Sequence, residues 1–203
     1  MPRVALSEVE VEQFRVRLAE VAMRLFAEHG YEGVTLRALA AELDVSPMTP
    51  YRYFADKDDI IEAVRDLAYE RFADAAEASV SGVAEPRERL LAHARGLVGF
   101  ALAEPNAYRH LFEMNQPNAT PQIGSVHPGG RAAAVLHQTV SDAVDAGVLA
   151  GDVDTVGHLL WASLHGLIAL HLAHKLVIGR TIEDLLEPML EGLLRAHAPP
   201  QPA

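Results

Sequence analysis

Apolar residues recur along most of this chain at intervals of three and four positions, which is the spacing of one face of an α-helix. The first such stretch runs from Val11 to Phe26 and follows Ser7 and Glu10, whose separation is that of a capping box. Gly30 suits the position just past a helix end, because glycine readily adopts the left-handed backbone found there. The pattern therefore predicts a long N-terminal helix.

Further start signals follow closely behind this helix. Thr35 can cap a short second helix, and Ser46 with the proline after it predicts a third helix that ends near Phe54. Asp56 then caps a long helix that ends near Ser79. Two short helices joined by a tight turn form a helix-turn-helix, whose second helix can enter the major groove of DNA.

The C-terminal part predicts more helices on both sides of a long connection. Pro86 opens a helix, Pro105 restarts it, and further helices cover residues 131–145 and 182–196. Residues 115–130 contain three prolines, three glycines and no charged residue, which predicts a long loop that is mobile or functional. Strand signals are nearly absent, so we predict an all-α fold.

The order of these signals divides the chain into four segments. Residues 1–57 are predicted to form a three-helix helix-turn-helix domain, and residues 58–81 a connecting helix. Residues 82–197 are predicted to form a helical bundle for dimerisation and ligand binding. Residues 198–203 are half proline, which predicts a disordered tail.

One stretch matches the length of a membrane span. Residues 155–174 contain no Asp, Glu, Lys or Arg, and about twenty residues cross a bilayer as a helix. The stretch also contains His158, His165, His171 and His174, which are unfavourable in hydrocarbon. A helix that is apolar all round is also found buried inside proteins, so we predict burial in protein and no membrane partner.

The segment between Thr35 and Lys57 has the side chains that a DNA-reading helix-turn-helix requires. Capped helix starts expose N–H groups that can hold phosphate, small or hydrogen-bonding side chains can reach base edges, and flanking donors can fix the register on the backbone. The candidate residues from these criteria are Thr35, Ser46, Met48, Thr49, Tyr51, Tyr53 and Lys57.

The same segment resembles a known family. Residues 45–54 (VSPMTPYRYF) and 56–60 (DKDDI) resemble the recognition helix and the next helix start of TetR-type transcriptional regulators. Residues 26–31 (FAEHGY) and 34–37 (VTLR) match the first turn and second helix of that family. The resemblance extends in order and spacing over about residues 15–65.

The resemblance implies a role for each matching position. The implied roles are of two kinds, contacts to phosphates and contacts to base edges. The implied phosphate contacts are Thr35, Tyr51, Tyr53 and Lys57, and the implied base contacts are Arg37, Met48 and Thr49, with Arg52 as a further candidate. Two positions depart from the family, which often has glycine at Met48 and an apolar residue other than proline at Pro50. A site preference unlike the common one is therefore expected.

Charge limits how this surface can bind DNA. The chain has a net charge of −11, and the charges between Thr35 and Lys57 sum to zero. Binding must therefore rest on neutral donors, helix ends and a few placed cations rather than on bulk attraction. An alternative remains in which the segment only packs, with Tyr51, Tyr53 and Phe54 as core aromatics; Phe54 is expected in the core in either case.

The body offers surfaces for a two-fold dimer, which the docking of two recognition helices on paired half-sites requires. A stripe of small residues on the uncharged helix and an apolar stripe on the helix before it are the candidates. They comprise Ala162, Gly166, Ala169 and Ala173 on the first, and Leu136, Val140, Ala143 and Val144 on the second.

Trp161, His165 and Gly166 form a W-x-x-x-H-G pattern, which resembles the C-terminal domain class named after that trio, over about residues 85–195. Aromatic and histidine side chains on two predicted elements can line an effector pocket. The candidates are Phe100, Tyr108, Phe112, His158, Trp161 and His165. In the alternative interpretation, Trp161 and His165 do not line a pocket but are core or interface residues with satisfied hydrogen bonds. The apolar surroundings indicate a largely hydrophobic effector.

Several classes of function are disfavoured. Without cysteine, disulfides and thiolate chemistry are excluded, and the acidic N-terminus is unlike a signal peptide, which indicates a cytoplasmic protein. His171 and His174 lack an acidic partner on their helix, and no H-E-x-x-H motif is present, so no metal or other cofactor is predicted. No phosphate loop, nucleophile elbow or acid/base cluster indicates an enzyme.

These observations predict a homodimeric, DNA-binding transcriptional regulator, by resemblance usually a repressor, that a small molecule releases from operator DNA. The helix over residues 58–79 would couple the two activities by changing the separation of the recognition helices. A helical dimer that sequesters a small molecule and keeps the head only as a fold is the alternative, and a membrane or enzymatic role is remote. Substituting Tyr51 and Lys57 separates the first two.

Overall fold

The computed structural model describes residues 7–112 and 128–200, and every regular element in these ranges is helical. The chain divides into two compact units. The first contains described residues 7–71 and 106–112, and the second contains described residues 72–105 and 128–200. The predicted all-α fold is confirmed.

The first unit contains α1 (Glu8–Gly33), α2 (Leu36–Glu42), a 3-10 turn (Pro50–Arg52), the first part of α3 (Lys57–Val80) and α5 (Pro105–Phe112) from residue 106 on. Its core is formed by large apolar side chains from each of the first helices. The most deeply buried include Leu18, Phe26, Leu39, Phe54 and Ile60. Two polar side chains of this unit, Arg65 and His110, are also buried.

The N-terminal helix begins and bends where the sequence predicts. The Ser7 hydroxyl accepts from the Glu10 backbone N–H at 3.2 Å, and the Glu10 carboxylate accepts from the Ser7 N–H at 2.8 Å, which completes the capping box. Gly30 has φ +72°, a left-handed conformation that costs a non-glycine residue energy, and it interrupts α1 one turn before its end.

The predicted third helix over residues 46–54 is wrong in type. The segment forms turns and the short 3-10 helix Pro50–Arg52, with Thr49 N–H bonded to Ser46 O at 2.8 Å and Arg52 N–H to Thr49 O at 3.0 Å. Pro50 accounts for this, because it lacks the N–H group that would bond to Ser46 O in an α-helix. Turns and a three-residue 3-10 helix therefore replace the predicted α-helix.

The second unit contains the end of α3, α4 (Pro86–Ala103), α6 (Pro128–Asp145), α7 (Val153–Leu172) and α8 (Ile182–Ala196). The helices α4, α6 and α7 pack on one another, and α8 packs on α7. At the contact of α3 with α4, a Cβ on Gly96 would lie 2.3 Å from Ser79 Cβ, so only glycine permits this approach. Glu85 caps α4 ahead of Pro86, and Thr181 with Asp184 caps α8.

The helix α7, which has no Asp, Glu, Lys or Arg after Asp154, is less buried than predicted. It is the one described helix long and apolar enough to cross a membrane by length and composition, and only 33% of the relevant window is buried. Leu160, Leu164 and Ile168 face the core of the unit, whereas Leu159 and Leu170 are exposed. The expectation of a helix buried on all sides is therefore corrected for the single chain, because one apolar face remains uncovered.

The two compact units divide the chain differently from the four predicted segments. The boundary lies inside α3, between residues 71 and 72, and α5 packs with the N-terminal unit rather than with the body. The predicted loop over 115–130 lies outside the described residues up to residue 127, and α6 begins at Pro128. In the predicted tail, residues 198–200 have no regular secondary structure and residues 201–203 are not among those described.

Candidate nucleic-acid interface

The N-terminus of α2 is capped and solvent-exposed. The Thr35 side-chain oxygen accepts from the Ala38 backbone N–H at 3.1 Å, as its position before the helix predicted. Arg37, in the first turn of α2, is exposed. After α2, Asp44 has φ +52°, and the Val45 N–H bonds to Ala40 O at 2.9 Å, which turns the chain sharply. The turn of the helix-turn-helix therefore has its own hydrogen bonds.

The segment 46–53, which we call the recognition segment, presents most of its side chains to solvent. Met48 is 67% exposed and Tyr51 51% exposed, and Ser46 and Arg52 are exposed as well. Thr49 is half-buried and Pro50 is buried, so these two residues attach the segment to the rest of the unit. Met48 and Tyr51 can therefore reach a ligand without any rearrangement of the core.

Two aromatic side chains at the end of this segment behave differently. Phe54 is 2% exposed, so its predicted core position is confirmed. Tyr53 is half-buried and stacks on Phe14 of α1, with ring centroids 4.2 Å apart. The Arg52 guanidinium lies 6.0 Å from the Tyr53 ring centroid. The alternative in which all three aromatics are core residues therefore fails for Tyr51, which the structure leaves exposed.

Arg15 of α1 holds the backbone of the recognition segment against α1, a role that the sequence analysis did not assign to it. Its guanidinium donates to the Tyr53 backbone carbonyl and lies 4.2 Å from the Phe54 ring centroid. It also lies 3.9 Å from an Asp59 carboxylate oxygen. One side chain thus connects α1, the recognition segment and the start of α3. The only signal in the sequence is an arginine beside the apolar face of α1.

The start of α3 is held by two carboxylates. Asp56 Oδ1 accepts from the Asp59 N–H at 3.0 Å, which confirms the predicted cap, and Asp59 Oδ2 accepts from the Ala55 N–H at 3.0 Å. These bonds fix the backbone at Lys57, the half-buried first residue of α3. Asp59 also faces Arg15, so its negative charge is partly neutralised.

Several acidic side chains of this unit are paired with arginines, whereas two candidate DNA-binding arginines have no ion-pair partner among the described residues. Glu42 forms an ion pair with Arg24. Within the described ranges, neither Arg37 nor Arg52 forms an ion pair with a carboxylate. The surface therefore offers cations where the resemblance implies base or phosphate contacts, although the net charge of the chain is −11.

Comparison with known proteins places this geometry in a family. Residues 18–64 match the family described as bacterial regulatory proteins, tetR family. Residues 90–193, just over half the chain, match the tetracyclin repressor-like C-terminal domain. The chain belongs to the tetR family of bacterial regulatory proteins. Both resemblances found in the sequence, for the head and for the body, are confirmed.

Curated relatives of this tetR-family chain are regulators by name. An HTH-type transcriptional regulator of Mycobacterium tuberculosis is 29% identical over 147 residues, which cover 70% of this chain and 60% of the relative. This chain thus spans about 60% of the length of that relative. The HTH-type transcriptional regulator UidR of Escherichia coli is 24% identical over 200 residues, covering 93% of this chain and 97% of the relative.

Solved structures have the same fold. A protein of unknown function from Rhodococcus sp. RHA1 superimposes with a TM-score of 0.78 at 25% identity, covering 98% of this chain and 100% of that one. A TetR family transcription regulator from Marinobacter aquaeolei VT8 gives a TM-score of 0.75 at 22% identity, covering 93% and 97%. The latter similarity concerns the fold alone.

The predicted effector residues of this tetR-family chain do not all belong to one unit. In the second unit, Phe72 contacts both Phe100, with ring centroids 5.3 Å apart, and Trp161, at 6.3 Å. Trp161 stacks on His165 at 5.9 Å, and both are half-buried. His158 is exposed and its Nδ1 lies 2.7 Å from Asp154 O of its own helix.

Tyr108 and Phe112 belong to the first unit, where their rings lie 4.9 Å apart. Tyr108 is fully buried. The second unit also contains an apolar cavity of about 20 Å³ among leucines of α4, α7 and α8. That volume holds about one water molecule, so this cavity is too small for an organic effector in the conformation described. No group of three or more metal-ligating side chains occurs in residues 7–112 and 128–200.

The predicted dimer residues fall into two groups. On α7, Ala162, Gly166 and Ala173 are exposed and Ala169 is half-buried. On α6, Leu136 and Val144 are half-buried, but Val140 and Ala143 have no exposed surface. The last two are corrected: their side chains are part of the core of the second unit, so they are not available to a second copy.

Proposed function

We propose that this protein is a sequence-specific, DNA-binding transcriptional regulator that acts as a homodimer. The observation that carries the proposal is the exposed recognition segment, which is rigidly backed by Phe14, Arg15 and Pro50. An exposed side chain on a fixed backbone can read DNA without the entropic cost of ordering a loop. Membership of the tetR family supports the same conclusion.

The side chains of the segment divide between reading and positioning. Met48 and Thr49, with Arg37 from α2, are proposed to contact base edges, where a methyl group can touch a thymine methyl and arginine can bind guanine. Thr35, Ser46, Tyr51, Arg52, Tyr53 and Lys57 are proposed to contact the phosphate backbone. Tyr53 lies flat on Phe14, so only its outer edge and hydroxyl are available for this.

The exposed face of α7 is proposed to hold the two copies together. It combines the small residues Ala162, Gly166 and Ala173 with the exposed side chains Leu159 and Leu170. A Cβ atom built on Gly166 would have no neighbour within 4 Å among the described residues of the single chain. A second helix can therefore approach closely at this position. Two copies would present their recognition segments to half-sites about 34–36 Å apart, one turn of DNA.

Regulation by a small molecule is proposed as the means of releasing DNA. The helix α3 contributes residues 57–71 to the first unit and 72–80 to the second, so it is a continuous path between the ligand-binding body and the head. An effector can shift DNA affinity only if it binds the two conformations differently. We also propose that the protein acts as a repressor, in the cytoplasm and without catalytic activity; one relative is named the transcriptional repressor AcnR.

Selection of bound fragments from genomic DNA, followed by footprinting, tests the proposal and defines the operator. Lys57→Met is expected to weaken binding to all sequences alike and to reduce the salt dependence by about one phosphate per copy. Tyr51→Phe is expected to weaken binding by removing one phosphate donor. Lys175→Met, an exposed lysine of the second unit, is the matched control and keeps full affinity.

The alternative of a sequestering dimer makes opposite predictions. It requires that no genomic fragment be enriched, and that Tyr51→Phe and Lys57→Met change neither folding nor any binding property. Circular dichroism and sedimentation of each variant show whether the fold and the dimer are retained. Loss of DNA binding with both retained supports the regulator; the absence of any protected sequence for the unmodified protein refutes it.

A further inference from the structure

Arg65 lies in the middle of α3 and is 8% exposed. Within the described ranges it is the one arginine, lysine or carboxylate side chain that is buried. A buried charge is unfavourable unless a partner of opposite charge and well-placed hydrogen bonds compensate for the lost hydration. Its surroundings therefore indicate what Arg65 is for.

Among residues 7–112 and 128–200, no acidic group makes a hydrogen bond to this guanidinium. Glu62 Oε1 lies 3.5 Å from Arg65 Nη2, and the Glu62 side chain is 68% exposed. Arg65 Nε is buried and makes no hydrogen bond. By contrast, Arg95 donates from Nε and Nη2 to both carboxylate oxygens of Glu187, at 2.7 and 2.9 Å. The edge that binds a carboxylate in Arg95 is thus left largely unused in Arg65.

Apart from the exposed Glu62, the titratable groups around Arg65 are polar and neutral. Tyr31 and His110, from the end of α1 and from α5, lie 3.0 Å apart between the hydroxyl and Nδ1. Tyr69 lies one helical turn from Arg65 on α3. Burial, and to a lesser degree the charge of Arg65, lowers the pKa of His110 to about 4, and burial raises the pKa values of Tyr31 and Tyr69. At neutral pH the one buried charge among these described groups is therefore the positive charge of Arg65.

We infer that Arg65, with the Tyr31 hydroxyl, forms a binding site for the carboxylate of a small organic monoanion. The guanidinium edge matches a carboxylate in two parallel N–H···O bonds, as Arg95 shows in this chain. One positive charge is balanced by one negative charge, whereas a doubly charged phosphate would leave an excess buried anion. The Tyr31 hydroxyl can donate to the charged ligand in place of neutral His110.

The site belongs to the same unit as the recognition segment. The inference rests on the proposed function only in its consequence, which is that a bound carboxylate alters DNA affinity. It also modifies the predicted effector, by adding one carboxylate to a largely hydrophobic molecule.

Calorimetric titration and thermal unfolding of the full-length protein test the site without DNA. The probes are acetate, benzoate and octanoate, each compared with its uncharged amide at the same ionic strength. At least one carboxylate is expected to bind about tenfold or more tightly than its amide and to raise the Tm accordingly. If none binds with a Kd below about 10 mM, or if acid and amide bind alike, the inference is wrong.

Variants assign the effect to Arg65. Arg65→Met is expected to keep or raise the Tm of the unliganded protein, because it removes a buried charge, and to reduce carboxylate affinity to that of the amide. Tyr31→Phe, a smaller change that preserves packing, is expected to weaken carboxylate binding severalfold. Arg95→Met is the matched control and leaves carboxylate binding unchanged. Carboxylate binding that survives in Arg65→Met overturns the assignment.

A last measurement separates this site from the proposed function. Operator affinity is measured with and without the carboxylate that binds best. A protein that binds carboxylates through Arg65 but binds no DNA retains the site and loses the regulator; one that binds DNA but shows no Arg65-dependent carboxylate binding does the reverse. A change of operator affinity in the unmodified protein, absent in Arg65→Met, supports both.

Discussion

The recognition segment and the exposed face of α7 are both open to solvent, but they are built in opposite ways. The recognition segment presents polar and aromatic side chains such as Tyr51 and Arg52, with Arg15 and Phe14 holding it from behind. The face of α7 presents leucine, alanine and glycine, and α7 has no Asp, Glu, Lys or Arg after Asp154. Exposure alone therefore does not define a function. The chemistry of the exposed side chains indicates a polyanion for the first surface and a second copy for the other.

The largest expected effect comes from placing a charge on the apolar surface. Ala162→Glu puts a carboxylate in the middle of the α7 face, and an unpaired charge buried between two copies costs several kcal/mol. Sedimentation velocity is expected to show a monomer, and operator affinity is expected to fall with the loss of paired half-site binding.

Ala78→Glu, at an exposed alanine of α3, is the matched control and should leave the dimer intact. A dimer of unchanged strength in Ala162→Glu would show that α7 does not form the interface.

The second largest expected effect is that of salt, which should weaken DNA binding by the recognition segment but not the association of two copies through α7. If Arg52 and Lys57 of two copies neutralise phosphates, the logarithm of DNA affinity has a slope of about −4 against the logarithm of salt concentration. Affinity then falls about a hundredfold between about 50 and 200 mM salt. Association through the apolar face should be unchanged or strengthened. Fluorescence anisotropy with labelled operator and sedimentation at the same salt concentrations measure both; a dimer that dissociates as steeply as the DNA complex would contradict the contrast.

A smaller effect is expected from the support beneath the recognition segment. Arg15→Met removes the donor to the Tyr53 carbonyl and the cation beside Phe54 while preserving most of the side-chain volume. We expect operator affinity to fall about tenfold, because the segment is less well ordered before binding, with about 1 kcal/mol lost in the free energy of unfolding. Denaturant unfolding and anisotropy measure the two.

Arg24→Met, which breaks an exposed ion pair of the same helix, is the control and should change either quantity little. If Arg15→Met binds operator as well as the unmodified protein, Arg15 has no positioning role.

Arg15 also marks the limit of what the sequence could predict. Helix starts were predictable, because a cap and its partner lie within a few residues, as at Ser7, Thr35 and Asp56. The contact of Arg15 with Tyr53 joins residues 38 positions apart, and no local pattern encodes it.

The body shows the same limit. Periodicity placed Leu136, Val140 and Val144 on one helix, but it could not tell the core side from the outer side, and Val140 proved to be core. The α-helix expected over 46–54 is wrong for a local reason, since Pro50 lacks the N–H that would bond to Ser46 O.

The smallest expected effect concerns which bases are read. Met48 is 67% exposed, so Met48→Ala should change the free energy of unfolding by less than about 0.5 kcal/mol. Its loss should instead cost about 1 kcal/mol in operator binding at one base step of each half-site, and little on other sequences, because an apolar contact to a thymine methyl is base-specific. Binding to a library of single-base operator variants measures this. A uniform loss over all variants would place Met48 against the backbone rather than a base edge, and would leave Thr49 and Arg37 as the readers.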